Sequence, residues 1–151
     1  MGTHTPRDPD FEARTRASFA RQQFMTMLGA RLERVAPGEV DIRLPFRADL
    51  TQQHGLAHAG AITAIVDSAC GYAALTLMER GAAVLSVEFK INLLAPAAGE
   101  AFIASGAVVR AGRTLTVCTG EVRAVQDGGE VVIAVMQATM IAVRDRAGVS
   151  D

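Results

Sequence analysis

The residue that most demands a chemical explanation is Asp67, the only charge in the run AGAITAIVDSACGYAALTLM at positions 59–78. An ionised carboxylate is almost never buried without a partner or a task. Thr63, Ala64, Cys70 and Gly71 lie three or four positions away on the same helical face, and all are small. None is a cation. Two readings stay open from these residues: a carboxylate paired with an arginine or a helix end from elsewhere, or one kept for catalysis as a base or nucleophile.

Immediately upstream, Gln52, Gln53, His54, Gly55, His58, Ala59 and Gly60 crowd polar and conformationally permissive groups against the start of that run. A helix start presents unpaired N–H groups and the positive pole of the helix dipole, which together suit a developing oxyanion. Either histidine fits a surface or capping role as well as that of a base. The four-residue spacing of His54 and His58 would suit two metal ligands on a helix. The segment between them carries Gly55 and reads as loop, however, and no third ligand is evident, so neither a metal nor another cofactor is expected. No G-x-S-x-G elbow or P-loop occurs, and Ser68 points to a different helix face from Asp67.

Several elements must position these groups. Residues 10–28 read as one surface helix with Ala13, Ala17, Ala20, Phe24, Met27 and Leu28 on its inner face and Arg14 and Arg21 at the edge. ARLERV and EVDIRLPF form a hairpin about Ala36-Pro37-Gly38, with Val40, Ile42, Leu44 and Phe46 on a buried face. After the apolar run, VLSVEFKINLL alternates Leu85, Val87, Phe89, Ile91 and Leu93 with Ser86, Glu88, Lys90 and Asn92. Three further strand-like runs, AFIASGAVVRAG, RTLTVCTGEVRAV and EVVIAVMQATMIAV, follow at turn-forming breaks. The order is helix, two strands, long apolar helix, four strands. It predicts an α+β domain over residues 1–151, an antiparallel sheet curling around a central helix, with residues 1–28 as a helical extension and 146–151 as a loose tail. A helix apolar all round in so short a chain also leaves surface to be covered, which predicts a homo-oligomer.

Composition narrows the function classes. Fifteen basic and 16 acidic residues nearly cancel, which argues against nucleic acid as a partner. Cys70 and Cys118 each sit among small or apolar residues and read as reduced thiols, and the N-terminal stretch lacks a secretion signal, so the cytoplasm is the expected address. The run 59–78 is close to a membrane span in length. Asp67 near its middle would cost about 3 kcal/mol there, and Gly60, Thr63, Ser68, Gly71 and Tyr72 dilute its hydropathy, so no membrane partner is expected.

QQHGLAHAGAITAIVDSACGYAALTLM followed by VLSVEFKINLLAPA closely resembles the phenylacetic-acid-pathway (PaaI-like) branch of hotdog-fold acyl-CoA thioesterases, over about residues 28–143. The resemblance implies a hotdog fold and active sites between paired protomers, with dimers of dimers forming a homotetramer. It implies Asp67 as nucleophile or general base and the Ala59 N–H as oxyanion donor. Ala59 stands where relatives usually have Gly, but a helix-start N–H does not need glycine's freedom. Gln52, or Gln53 with the loop shifted by one, falls where a loop amide positions water or substrate; His58 would set the loop and Ser86 assist the water. Gln53, His54, Gly60, Lys90 and Asn92 complete the implied substrate contacts. Arg110, Gly112 and Arg113 form a turn suited to CoA phosphates. Small residues Ala64, Gly71, Ala73 and Ala74 could line an aryl or an alkyl pocket equally well.

Three other functions fit the same residues. A hotdog dehydratase or hydratase would release no thiol, a non-catalytic acyl-CoA-binding module would bind without turnover, and a structural oligomer would need Asp67 for stability alone.

Overall fold

Alternating apolar residues in the hairpin and the last three strands place one side chain in two against a common layer, and a helix of mostly small residues fills it. The structure is a computed structural model that describes residues 4–151. Two short helices, α1 (Phe11–Arg21) and α2 (Gln23–Leu28), precede strands β1 (Arg31–Ala36) and β2 (Glu39–Pro45). The long helix α3 (Ala59–Leu75) follows, then β3 (Ala83–Leu93), β4 (Ala101–Ala111), β5 (Leu115–Gln126) and β6 (Gly129–Val143). The six strands make one antiparallel sheet in the order β1-β2-β4-β5-β6-β3. α3 packs across strands β2 to β6, the hotdog arrangement that the sequence predicts.

Ile62, Ile65, Val66, Ala69, Cys70, Ala73, Ala74 and Leu75 of α3 are wholly buried against Val40, Ile42, Leu44, Phe102, Val122 and Met140 of the sheet. Each such large side chain contributes about 1.5–3 kcal/mol of burial. Helix and sheet approach so closely that two strand positions must be glycine. A Cβ on Gly106 would lie 2.3 Å from the Ala69 carbonyl carbon and 2.5 Å from the Cys70 nitrogen, and one on Gly120 would lie 2.4 Å from Val66 Cγ2.

Four expectations need correction. The N-terminal helix is broken at Gln22, whose backbone is extended, and of the expected inner face only Leu28 is buried. Thr15, Ser18, Met25 and Leu28 turn inward, while Ala13, Ala17, Ala20, Phe24 and Met27 are exposed. An ionic anchor, not an apolar stripe, sets this orientation. The Arg14 guanidinium donates to the carbonyls of Leu75, Met78 and Glu79 at 2.9, 2.8 and 2.7 Å, at the end of α3 and in the turn beyond it, and it pairs with buried Asp8 at 3.2 Å.

Second, α3 ends at Leu75 rather than Met78, and Phe46 lies just past β2, partly exposed. Third, the alternation of β3 is not one face. A bulge between Ser86 and Glu88 shifts the register, so Val84 and Ser86 share the helix side with Phe89, Ile91 and Leu93, whereas Leu85 faces away. Lying at the sheet edge, β3 leaves Leu85, Val87, Phe89 and Leu93 exposed. Fourth, the segment from Arg146 is not loose: Arg146 bridges Val149, and Asp151 accepts a hydrogen bond from Ser18 at 2.5 Å. Polar side chains hold it, where an apolar pattern gave no sign.

Candidate active site

Asp67 projects from the middle of α3 towards β3, where Ser86 Oγ donates to its Oδ1 at 2.8 Å. The bulge makes this pair, because strict alternation from Phe89 would turn Ser86 to the other side of the sheet. Burial pushes the Asp67 carboxyl above its ordinary range, and the Ser86 hydrogen bond partly opposes that rise. No arginine or lysine reaches it among the described residues, so the paired-carboxylate reading has no cation to rest on. Asp67 and Ser86 open onto a pocket of about 340 Å³ whose walls include Ser68, Gly71, Tyr72 and Val84. Tyr72 is held edge-on by Phe19 of α1, ring centroids 5.7 Å apart.

At the other end of α3, the four first N–H groups have separate fates. His58 is the N-cap: its Nδ1 accepts from the Gly60 N–H at 2.8 Å, and its carbonyl accepts from Ala61 and Ile62. The Ala59 N–H alone has no acceptor among the described residues. Ala59 lines a second, mainly apolar pocket of about 400 Å³ with Gln52, Leu56, Ile62, Leu93, Leu94 and Ile133. Gln52 Oε1 accepts from the His54 N–H, which tightens the loop and leaves the Gln52 NH₂ free. Gln53 and His54 are exposed and contact each other at 3.3 Å.

The two ends are not one site within a protomer. Eight residues separate Ala59 from Asp67, or about 12 Å along the helix axis, whereas reacting groups must approach to about 3 Å. Lys90 and Asn92 pair with each other at 2.6 Å on the exposed side of β3, away from Ser86. Arg110 and Arg113 flank the β4–β5 turn, where Gly112 donates to the Leu115 carbonyl at 2.8 Å. That turn shares an end of the sheet with the Asp67 pocket, because Ser86 pairs with Met140, and Met140 with Thr116. Both cysteines are free and buried; burial raises the Cys70 thiol and pushes that of Cys118 up to about 12, which leaves neither as a nucleophile. No helix among the described residues is long and apolar enough to cross a membrane.

Sequence reasoning missed the outer wall of the Asp67 pocket: Ser18, Arg21 and Gln22 of the α1–α2 break, with Ser150 and Asp151. Only the tyrosine beside them, the single one in the chain, gave any signal.

Comparison with known proteins agrees with this architecture. Residues 54–131, just over half of the chain, match the model of the thioesterase superfamily. A crystal structure of a thioesterase family protein from Silicibacter pomeroyi is 51% identical, covers 89% of this chain and 98% of its own, and superposes with a TM-score of 0.88. The Escherichia coli PaaI protein from the phenylacetic acid degradation operon shares the fold at a TM-score of 0.79, with 19% identity over 89% of this chain and 94% of its own. An esterase-named protein of Halobacterium salinarum is 31% identical over 98 residues, 62% of this chain, and the match spans 64% of that protein's length.

Proposed function

The chain belongs to the thioesterase superfamily, a family of thioester hydrolases, and from that premise we propose that it hydrolyses acyl-CoA to the free acid and CoA, with Asp67 as the central catalytic group. The observation that carries this reading is the Asp67–Ser86 pair: a desolvated carboxylate without a cation, opening onto a pocket and held by one hydroxyl. Ser86 occupies Oδ1, which leaves Oδ2 to take a proton.

Asp67 acts as general base. It removes a proton from water as the water oxygen bonds to the acyl carbon, and the carbonyl oxygen takes up negative charge. Collapse of that oxyanion breaks the C–S bond, and the proton passes from Asp67 to the departing thiolate, giving CoA thiol and carboxylic acid. A thioester carbonyl is electrophilic enough that a carboxylate and a focused oxyanion donor suffice without a serine triad. The donor is the free Ala59 N–H of a second copy, since a protomer's own Ala59 lies about 12 Å away along α3. Exposed apolar residues along edge strand β3 suit pairing of two copies there, and stacking of such dimers gives a tetramer. Gln52 positions water or substrate beside Ala59, and Arg110 and Arg113 receive the CoA phosphates.

The test is release of free thiol from aryl-, short- and medium-chain acyl-CoAs by the wild type and by Asp67→Asn. Loss of about 10²–10⁴-fold in kcat/KM is expected for the variant. Equal release by both would remove Asp67 from the chemistry. Tight acyl-CoA binding without release by the wild type would establish the binding module instead.

A further inference from the structure

Part of the wall of the Asp67 pocket is built from α1 and the last described residues, and it already holds a carboxylate. Ser18 Oγ donates to Asp151 Oδ1 at 2.5 Å, and Arg21 Nη2 lies 3.4 Å from the same oxygen. Ser18 is buried, at 7% exposure, so its hydroxyl is a fixed donor rather than a solvated surface group. Gln22 lines the same wall, and its buried Oε1 has no hydrogen-bond partner among the described residues. A half-turn of that amide presents its NH₂ instead. Ser18, Arg21 and Gln22 stand at i, i+3 and i+4 where α1 ends, so they share one face of its last turn and line the same pocket.

We infer that Ser18, Arg21 and Gln22 form an anion-accepting subsite for the far end of the acyl group, and that Asp151 occupies it in the absence of substrate. This rests on the thioesterase reading of the Asp67 pocket. An acyl chain entering that pocket has its thioester carbon at Asp67 and its distal end at α1. The subsite therefore selects ω-carboxyacyl thioesters over alkyl ones of equal length, because a carboxylate replaces that of Asp151 on the same donors while a methyl group leaves them unpaired. Hydrogen bonds to charged groups are strong enough to set such a preference at roughly tenfold or more.

Calorimetric titration of adipyl-CoA and hexanoyl-CoA tests this, using chains that carry Asp67→Asn so that neither ligand is consumed. With Asp151 replaced by Ala, the affinity ratio of adipyl- to hexanoyl-CoA should rise about tenfold, since the internal competitor is gone. Adding Arg21→Ala should abolish that rise, and adding Arg21→Lys should retain part of it. Arg21 is 59% exposed, so these substitutions leave the fold in place. A ratio that is the same in all four chains overturns the subsite. Thiol release from the two thioesters by the Asp67-intact protein separates the two ideas. Turnover with an unresponsive ratio sinks the subsite and spares the thioesterase, whereas a responsive binding ratio without turnover does the reverse.

Discussion

The most informative perturbation is Ala59→Pro. Proline lacks an N–H, so it deletes the proposed oxyanion donor and nothing else. Residue 59 is the first of α3, the helical position that proline favours, and the preceding His58 has φ −64° and ψ 137°, the extended backbone that proline demands of its neighbour. The lost N–H has no acceptor among the described residues, so the substitution removes no hydrogen bond that they make. Loss of one oxyanion donor corresponds to about 10²–10³ in kcat, or about 2.7–4 kcal/mol of barrier. The thermal midpoint should hold within a few degrees. The decisive assay mixes this chain with Asp67→Asn under conditions that exchange subunits. Each parent is inactive, but a mixed pair carries one site that joins an intact Asp67 to an intact Ala59. Random exchange makes half the pairs mixed, with one working site of two, so about a quarter of wild-type activity returns. No recovery despite proven exchange would refute the shared site, and full activity in Ala59→Pro alone would refute the donor.

Asp67→Asn should also stabilise the fold at neutral pH. A carboxyl raised by burial stabilises the protein only while protonated, a contribution complete below the unfolded value of about 3.9 and lost as pH rises through the higher folded value. The gap in urea midpoint between variant and wild type should therefore open with rising pH and then level off; a less stable variant at pH 7 would contradict it. Ser86→Ala removes the hydrogen bond that holds Asp67 down, so the acidic limb of the kcat/KM profile should move to higher pH, and an unmoved limb would count against the pair. Gly106→Ala should cost about 3 kcal/mol or more in urea unfolding, because its Cβ meets the α3 backbone. Gly71→Ala, with nothing within 4 Å of a new Cβ in mid-helix, should instead gain about 1 kcal/mol. Opposite signs at the two glycines are the check.

Much of the architecture was legible because two periods dominate the chain. Val40, Ile42 and Leu44 alternate as a half-buried strand must, and a helix from Ala59 that is apolar on every side has nowhere to go but the core. Asp67 stood out as the one charge in that helix. The spatial grouping was less legible. Ser86 sits out of phase with its apolar neighbours, and a bulge leaves no compositional mark. Arg14 and Arg21 look alike on a helical wheel, yet one is locked into the carbonyls at the end of α3 and the other rims the pocket. The inner face of α1 carries Thr15 and Ser18, whose burial depends on what the opposing surface offers, so apolar spacing pointed to the wrong side. Asp151 is held by individual polar bonds, which no periodicity encodes.

The bulge in β3 has a consequence for how this strand can change. Upstream of it the strand must keep even-numbered positions towards the helix, to hold Val84 and Ser86; downstream it must keep odd-numbered ones, to seat Phe89, Ile91 and Leu93. Chemistry and packing thus impose opposite parities on one continuous strand, and a single residue absorbs the difference. Deleting Val87 would restore an unbroken pleat and remove no catalytic atom, and Val84 and Ser86 would then alternate in one phase with Phe89, Ile91 and Leu93 on the helix side. A chain that lacks Val87 should for that reason keep both its core and the Asp67–Ser86 pair, and substitutions at Val87 should be tolerated as well.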